Sequence, residues 1–168
     1  SLGCTEEVIV IADSWGMIWA IAIASAVRLQ GKSVLLYTKE SISDRLRAYF
    51  DKVESLDSIV TGSCDVYYCL EASKLKSYQQ KQYPARESFA IVDGPMMCFL
   101  KGICGQCIQW QVNEDGSQLK AVYACSWPSQ PMTLIDVNHL VSRQGHKTLD
   151  QVLYDSWQKN VKKKEYLL

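Results

Sequence analysis

Four cysteines in this sequence could hold a metal together. Cys98, Cys104 and Cys107 fall on one short stretch, and Cys125 follows after 17 residues. Soft thiolates select iron–sulfur clusters, zinc or Cu(I). A plant-type [2Fe–2S] loop has the spacing C-x4-C-x2-C with a distant fourth cysteine. This chain has Cys98-x5-Cys104-x2-Cys107-x17-Cys125, one residue longer in the first gap. Such a loop must wrap a cluster and aim backbone N–H groups at its sulfides, and Gly102 and Gly105 supply the backbone freedom for that. A structural zinc site usually shows two separated C-x2-C pairs, whereas only Cys104 and Cys107 are so spaced here. The spacing therefore favours a [2Fe–2S] centre, with zinc or an empty four-thiol site as the competing reading.

The remaining candidates carry less chemistry. Cys64 and Cys69 read as small buried hydrophobes. His139 and His146 stand apart from the cysteines in sequence and read as surface or capping residues. Trp110 and Trp127 flank the cysteine region and could form a docking surface or shield a core. Lys162 to Lys164 read as a solvated tail. No Ser-His-Asp or Cys-His arrangement has a recognisable context. Asp13-Ser-Trp-Gly16 could be a modified nucleotide site, since ligands favour strand carboxyl ends in open α/β sheets, but it reads rather as a plain strand-to-helix turn.

The elements that must position these residues follow from periodicity. Glu7 to Ala12 is a continuous β-branched run, a strand buried on both faces. Asp13 to Gly16 forms a tight turn in which Ser14 could cap the next helix. Met17 to Gln30 reads as a buried helix, closed by Gly31, and Ser33 to Thr38 as a second strand. The crossover places the two strands parallel. A second helix is expected from Ser41 or Ser43 through Tyr49, a short strand at Ser58 to Thr61, and another at Asp65 to Leu70. Glu71 to Gln82 is a surface helix stopped by Pro84, and Ser88 to Val92 a further strand. After Asp93 the pattern changes to a cysteine loop and a hairpin, Ile108 to Val112 and Leu119 to Ala124, turning at Asn113 to Gly116. Leu149, Val152, Leu153 and Trp157 then mark an amphipathic C-terminal helix. The expected organisation is an α/β domain over 1–93, an iron–sulfur loop and hairpin over 94–137, and a helical extension over 138–168.

The bulk composition is permissive. The 168 residues are 48% hydrophobic and 21% charged with zero formal net charge, which gives no electrostatic case for nucleic acid. The apolar run from Met17 to Val27 is too short for a membrane span, and Glu6 and Glu7 precede it where an export signal needs positive charge. An odd count of seven cysteines without such a signal points to reduced or metal-bound thiols in a cytoplasmic protein.

Met96-Met-Cys-Phe-Leu-Lys-Gly-Ile-Cys-Gly-Gln-Cys107, followed by a strand pair and Ala121-Val-Tyr-Ala-Cys125, resembles the C-terminal end of the dihydroorotate dehydrogenase electron-transfer subunit family. That family includes small subunits of cytoplasmic hydrogenases and of ferredoxin:NADP oxidoreductases, within the wider ferredoxin-reductase group. Its order is a flavin-binding barrel, an NAD(P)-binding α/β domain, then a [2Fe–2S] loop; residues 7–137 resemble the last two parts. The resemblance implies a ferredoxin-reductase NAD-domain type of parallel sheet, with a C-terminal cysteine-rich loop and hairpin. It implies a [2Fe–2S] cluster on Cys98, Cys104, Cys107 and Cys125. FAD would sit on a preceding barrel or a partner chain. NAD(P) would lie near Ser14, Gly16 and Cys69. The implied partners are a flavin-binding domain or subunit and a redox protein. The chain departs from the family at the nucleotide turn. Only Gly16 remains of the Gly-rich segment, bulky Trp15 stands where a backbone should approach a phosphate, and Asp13 would repel one. After Cys69 the family's Gly-Pro is replaced by Leu70-Glu71. The expected function is thus an electron-transfer domain of a flavin-dependent oxidoreductase, supplied by NAD(P)H through a separate FAD domain. The competing reading is a non-redox interaction domain.

Overall fold

The computed structural model describes residues 7–59, 62–81, 83–92, 108–124 and 126–144. Strand β1 (Glu7–Ala12) lies at the centre of the sheet, and every residue from Val8 to Ala12 is buried. Alternate side chains enter two separate cores. Val8, Val10 and Ala12 pack on one face, and Ile9 and Ile11 on the other. This is why the β1 run shows no polar alternation. Helix α1 (Met17–Leu29) follows and returns the chain to β2 (Ser33–Thr38), parallel to β1 with Val8 beside Val34.

Helix α1 is buried along one stripe only, Met17, Ala20, Ala24 and Val27, while Ile18 and Leu29 are exposed. The expected buried helix is thus buried on its sheet-facing side. Small alanines at the contact let the helix sit close to the sheet, and a single sheet face cannot cover the rest. Gly31 has φ +74°, and the Gly31 and Lys32 N–H groups donate to the Arg28 and Val27 carbonyls at 2.9 and 3.3 Å. That double bond and the left-handed glycine close the helix as expected.

Helix α2 is shorter than expected (Asp44–Arg47), and Ser43 precedes it. Strand β3 (Lys52–Ser55) then pairs with β2 in parallel. The expected strand at Ser58 to Thr61 is not formed in its described part. The Ser55 hydroxyl accepts the Asp57 N–H, starting a 3₁₀ turn over Leu56–Ser58 that consumes this stretch. Strand β3 is a half-buried edge strand, so its sequence carries charges and no apolar run.

Strand β4 (Asp65–Cys69) runs parallel beside β1, Val8 opposite Asp65 and Ala12 opposite Cys69. Helix α3 (Ala72–Lys81) buries Ala72 and Leu75 and leads to β5 (Ser88–Ile91), parallel to β4. The hairpin of β6 (Ile108–Val112) and β7 (Gln118–Tyr123) forms a separate antiparallel pair. Beyond it β8 (Ser129–Pro131) adds antiparallel to β5 and completes the order β3-β2-β1-β4-β5-β8. A proline is tolerated there because β8 is the edge. Helix α4 (Val137–Gln144) packs beside α3, burying Val137 and Leu140. The sheet is thus a mostly parallel layer with α1 on one face and α3 and α4 on the other. No helix among the described residues is long and apolar enough to cross a membrane.

Candidate functional site

Strand order reverses between β1 and β4, which have their crossovers on opposite faces. A crevice must open at the carboxyl ends of the strands there, because the two following helices diverge. A cleft of about 320 Å³ occupies that position, lined by Ala12, Asp13, Glu40, Leu70, Lys74 and Tyr78 among others.

Asp13 is the electrostatic centre of the cleft. It is 6% exposed, yet it is saturated with donors. One carboxylate oxygen accepts the Gly16 N–H at 3.0 Å; the other accepts the Glu71 N–H at 3.2 Å and the Lys74 ammonium at 2.8 Å. Burial pushes the carboxyl pKa up, but the Lys74 hydrogen bond, the two backbone donors and the Lys74 charge outweigh it and hold the group below its ordinary value. Lys74 lies half-exposed on the first turn of α3, and its pKa is raised by the Asp13 bond.

The structure brings together the three residues expected near a nucleotide. Ser14 is exposed on the turn and does not cap α1; its N–H donates to the Glu40 carboxylate at 3.3 Å. The N-cap of α1 is Gly16, with no side chain bonded to the first-turn N–H groups; the Asp13 carboxylate accepts the N–H of Gly16 itself. Gly16 is pressed against the end of β4. A Cβ built on it would lie 1.7 Å from the Cys69 carbonyl oxygen. Its missing side chain therefore serves helix–strand packing. Cys69 is fully buried among the residues under α1, and burial, with the Asp13 charge adding to it, pushes its thiol pKa far up. Cys64 is also a buried thiol. Lys74 and Glu40 were not singled out from sequence. The available signals were positional: Glu40 lies two residues past β2, and Lys74 one turn beyond β4.

Cys98, Cys104, Cys107 and Cys125 lie outside the described residues, as do His146 and Lys162 to Lys164. The hairpin between them in sequence is described. Ile108, bonded to Cys107, pairs with Tyr123, two residues before Cys125. Its burial pattern is inverted. Gln109, Gln111 and Val122 face inward, while Trp110, Leu119 and Tyr123 are 39%, 50% and 41% exposed. The Gln111 amide donates to Gln130 Oε1 at 3.3 Å, and Gln111 bridges to Ile135, so the hairpin is tied to the α/β layer. The Gln111 side-chain oxygen Oε1 finds no partner among the described residues. Trp127 is likewise half-exposed, with the Lys120 ammonium 5.1 Å from its ring centre. His139 sits in the first turn of α4, its N–H bonded to the Asp136 carboxylate at 3.0 Å.

No protein-family model matches the chain. An uncharacterized protein of Rickettsia prowazekii (strain Madrid E) is 40% identical over 60 residues, 36% of this chain. The matched stretch spans only 8% of that protein. Among solved structures, a chain of an NADH-dependent reduced ferredoxin-NADP oxidoreductase, studied for flavin-based electron bifurcation, superposes with a TM-score of 0.66. Sequence identity is 14%, over 90% of this chain and 62% of that one. At that identity the likeness concerns the fold, and it agrees with the strand order and switch point: the chain has a mixed α/β fold of the ferredoxin-reductase-like kind.

Proposed function

We propose that this chain is an electron-transfer domain of a flavin-dependent oxidoreductase, with Cys98, Cys104, Cys107 and Cys125 as ligands of a [2Fe–2S] cluster. The observation that carries the reading is the thiol spacing, three cysteines on a glycine-bearing stretch and a fourth across a hairpin. Four thiolates are the donor set such a cluster requires. A cluster bound there would pass single electrons. The pairing of Ile108 with Tyr123 supports the reading, because the segments leading to Cys107 and Cys125 leave the same end of the hairpin. The chain's own residues would then supply ligation, N–H donors to sulfur and exclusion of water, which tune the potential.

The inverted hairpin supports a protein partner. Half-exposed Trp110 and Tyr123 are the residue types enriched at interface centres, and the proposed occupant is the flavin-binding domain or subunit. In this organisation residues 94–137 carry the cluster and the α/β layer before them is its scaffold.

The saturated Asp13 site favours a second reading, a non-redox interaction domain on an old reductase fold with zinc or nothing at the cysteines. One experiment separates the two: metal and sulfide analysis with a visible spectrum on anaerobically purified protein. About two irons and two sulfides per chain, with bands that bleach on dithionite, support the relay. Retention of those bands in Cys104→Ser would refute the ligand assignment. One zinc and no visible bands would establish the second reading.

A further inference from the structure

The fold implies a dinucleotide at the β1–α1 turn, and the residues present do not fit one. In open α/β folds this turn offers backbone N–H groups and a helix N-terminus to a pyrophosphate. Here three N–H groups of the turn are taken up within the protein. The Asp13 N–H donates to the Cys69 carbonyl at 3.3 Å, the Ser14 N–H to Glu40 Oε1 at 3.3 Å, and the Gly16 N–H to Asp13 Oδ1 at 3.0 Å. The space beside Gly16 is filled by the Cys69 carbonyl, which a Cβ would meet at 1.7 Å. Of the two lysines that line the cleft, Lys74 is bound to Asp13 Oδ2 at 2.8 Å and Lys39 is paired with Asp57 Oδ1 at 2.9 Å.

We infer that the Asp13 carboxylate stands in the position of a nucleotide phosphate, and that with Glu40 it makes this turn refuse dinucleotides. Two acidic groups occupy the anion-attracting end of the turn, so an incoming pyrophosphate meets negative charge and no vacant N–H among these three. Displacing Asp13 would strip a buried carboxylate, which water reaches poorly at 6% exposure, of three donors, one of them its counter-charge Lys74. The fold is therefore kept while its hydride-accepting use is closed. Any electrons relayed by the chain arrive from a partner and not from NAD(P)H bound at this turn. None of Cys98, Cys104, Cys107 and Cys125 enters this inference, so it survives or fails independently of what they bind.

The test is calorimetric titration of the intact chain with ADP, NADH and NADPH at low salt. Wild-type protein is expected to show no saturable binding up to millimolar ligand. Asp13→Asn keeps an oxygen acceptor for the Gly16 N–H, removes the charge and releases Lys74. It is expected to raise ADP affinity by about tenfold or more, into the measurable range. Glu40→Gln, at an exposed position, is expected to raise it by a smaller factor and decides the matter if Asp13→Asn does not fold. Saturable submillimolar binding of any of the three ligands to wild type would overturn the inference. So would a folded Asp13→Asn protein, or Glu40→Gln in its place, with wild-type affinity.

Discussion

Replacing Gly16 by alanine tests the packing on which the candidate site depends. Gly16 has φ −83°, so its backbone is open to any residue and no conformational strain attends the change. At an N-cap, alanine is worse than glycine by less than about 1 kcal/mol. Propensity alone therefore predicts a small loss. The structure predicts a large one. The new methyl would lie 1.7 Å from the Cys69 carbonyl oxygen, 2.3 Å from its carbon and 2.9 Å from its Cβ. Two of those atoms are backbone of the second central strand, held by the β1–β4 ladder, and cannot rotate away. Helix α1 must lift by more than an ångström, loosening the Asp13 to Cys69 backbone bond and the Ala20 and Ala24 contacts. Overpacking of this kind costs about 1–3 kcal/mol, and rigid obstruction puts Gly16→Ala at about 3 kcal/mol or more. For a chain of this size that is a fall of roughly 6–12 °C in melting temperature. Circular dichroism melts and urea titration measure it. A fall below about 3 °C, the range of propensity alone, would refute the claim that this glycine is required by helix–strand contact.

Other outcomes follow from the same geometry. Asp13→Asn should cost about 1–2 kcal/mol at pH 7, since the half-exposed Lys74 limits the ion-pair share. Because the folded carboxyl pKa lies below its unfolded value near 3.8, its stabilisation is complete above that value and is lost as pH falls through the folded pKa. Urea titrations from pH 7 to pH 2 should thus fall more steeply for wild type than for Asp13→Asn; parallel profiles would contradict the saturated carboxylate. Cys69 should resist thiol reagents at pH 8 until the protein unfolds, because it is fully buried with its pKa raised; modification of native protein, mapped by mass spectrometry, would show the β4 end to be open. Trp110→Ala should leave the melting temperature within about 2 °C while weakening capture of the flavin-binding partner by about tenfold, and a large melting change would make this tryptophan a core residue instead.

Much of the scaffold was legible because its signals are local. Val8 to Ala12 and Val34 to Thr38 are runs without polar alternation, and only a two-faced sheet buries such runs. Gly31 sat where a helix must end, and Asn113 to Gly116 where a hairpin must turn. Strands β3 and β8 were not legible, for the opposite reason. Lys52-Val-Glu-Ser55 and Ser129-Gln-Pro131 are edge strands defined by a neighbour's hydrogen bonds, and their side chains carry little periodicity. The hairpin's existence could be read, yet its facing could not. Burying Gln109 and Gln111 and exposing Trp110 reverses the usual preference, and only contact with Gln130 and Ile135 sets it.

The candidate site divides in the same way. The four cysteine positions and their spacing are properties of the sequence alone, since ligand type and loop length are covalent facts. So was the turn Asp13-Ser-Trp-Gly16 with its single glycine. What that turn does was decided by the tertiary structure. Asp13 meets the Glu71 N–H and Lys74 from 58 and 61 residues away, and Ser14 meets Glu40 across 26. Those groups converge because β1, β2 and β4 end at one edge of the sheet. Whether a carboxylate there repels a ligand or takes its place depends on distances that no local pattern encodes.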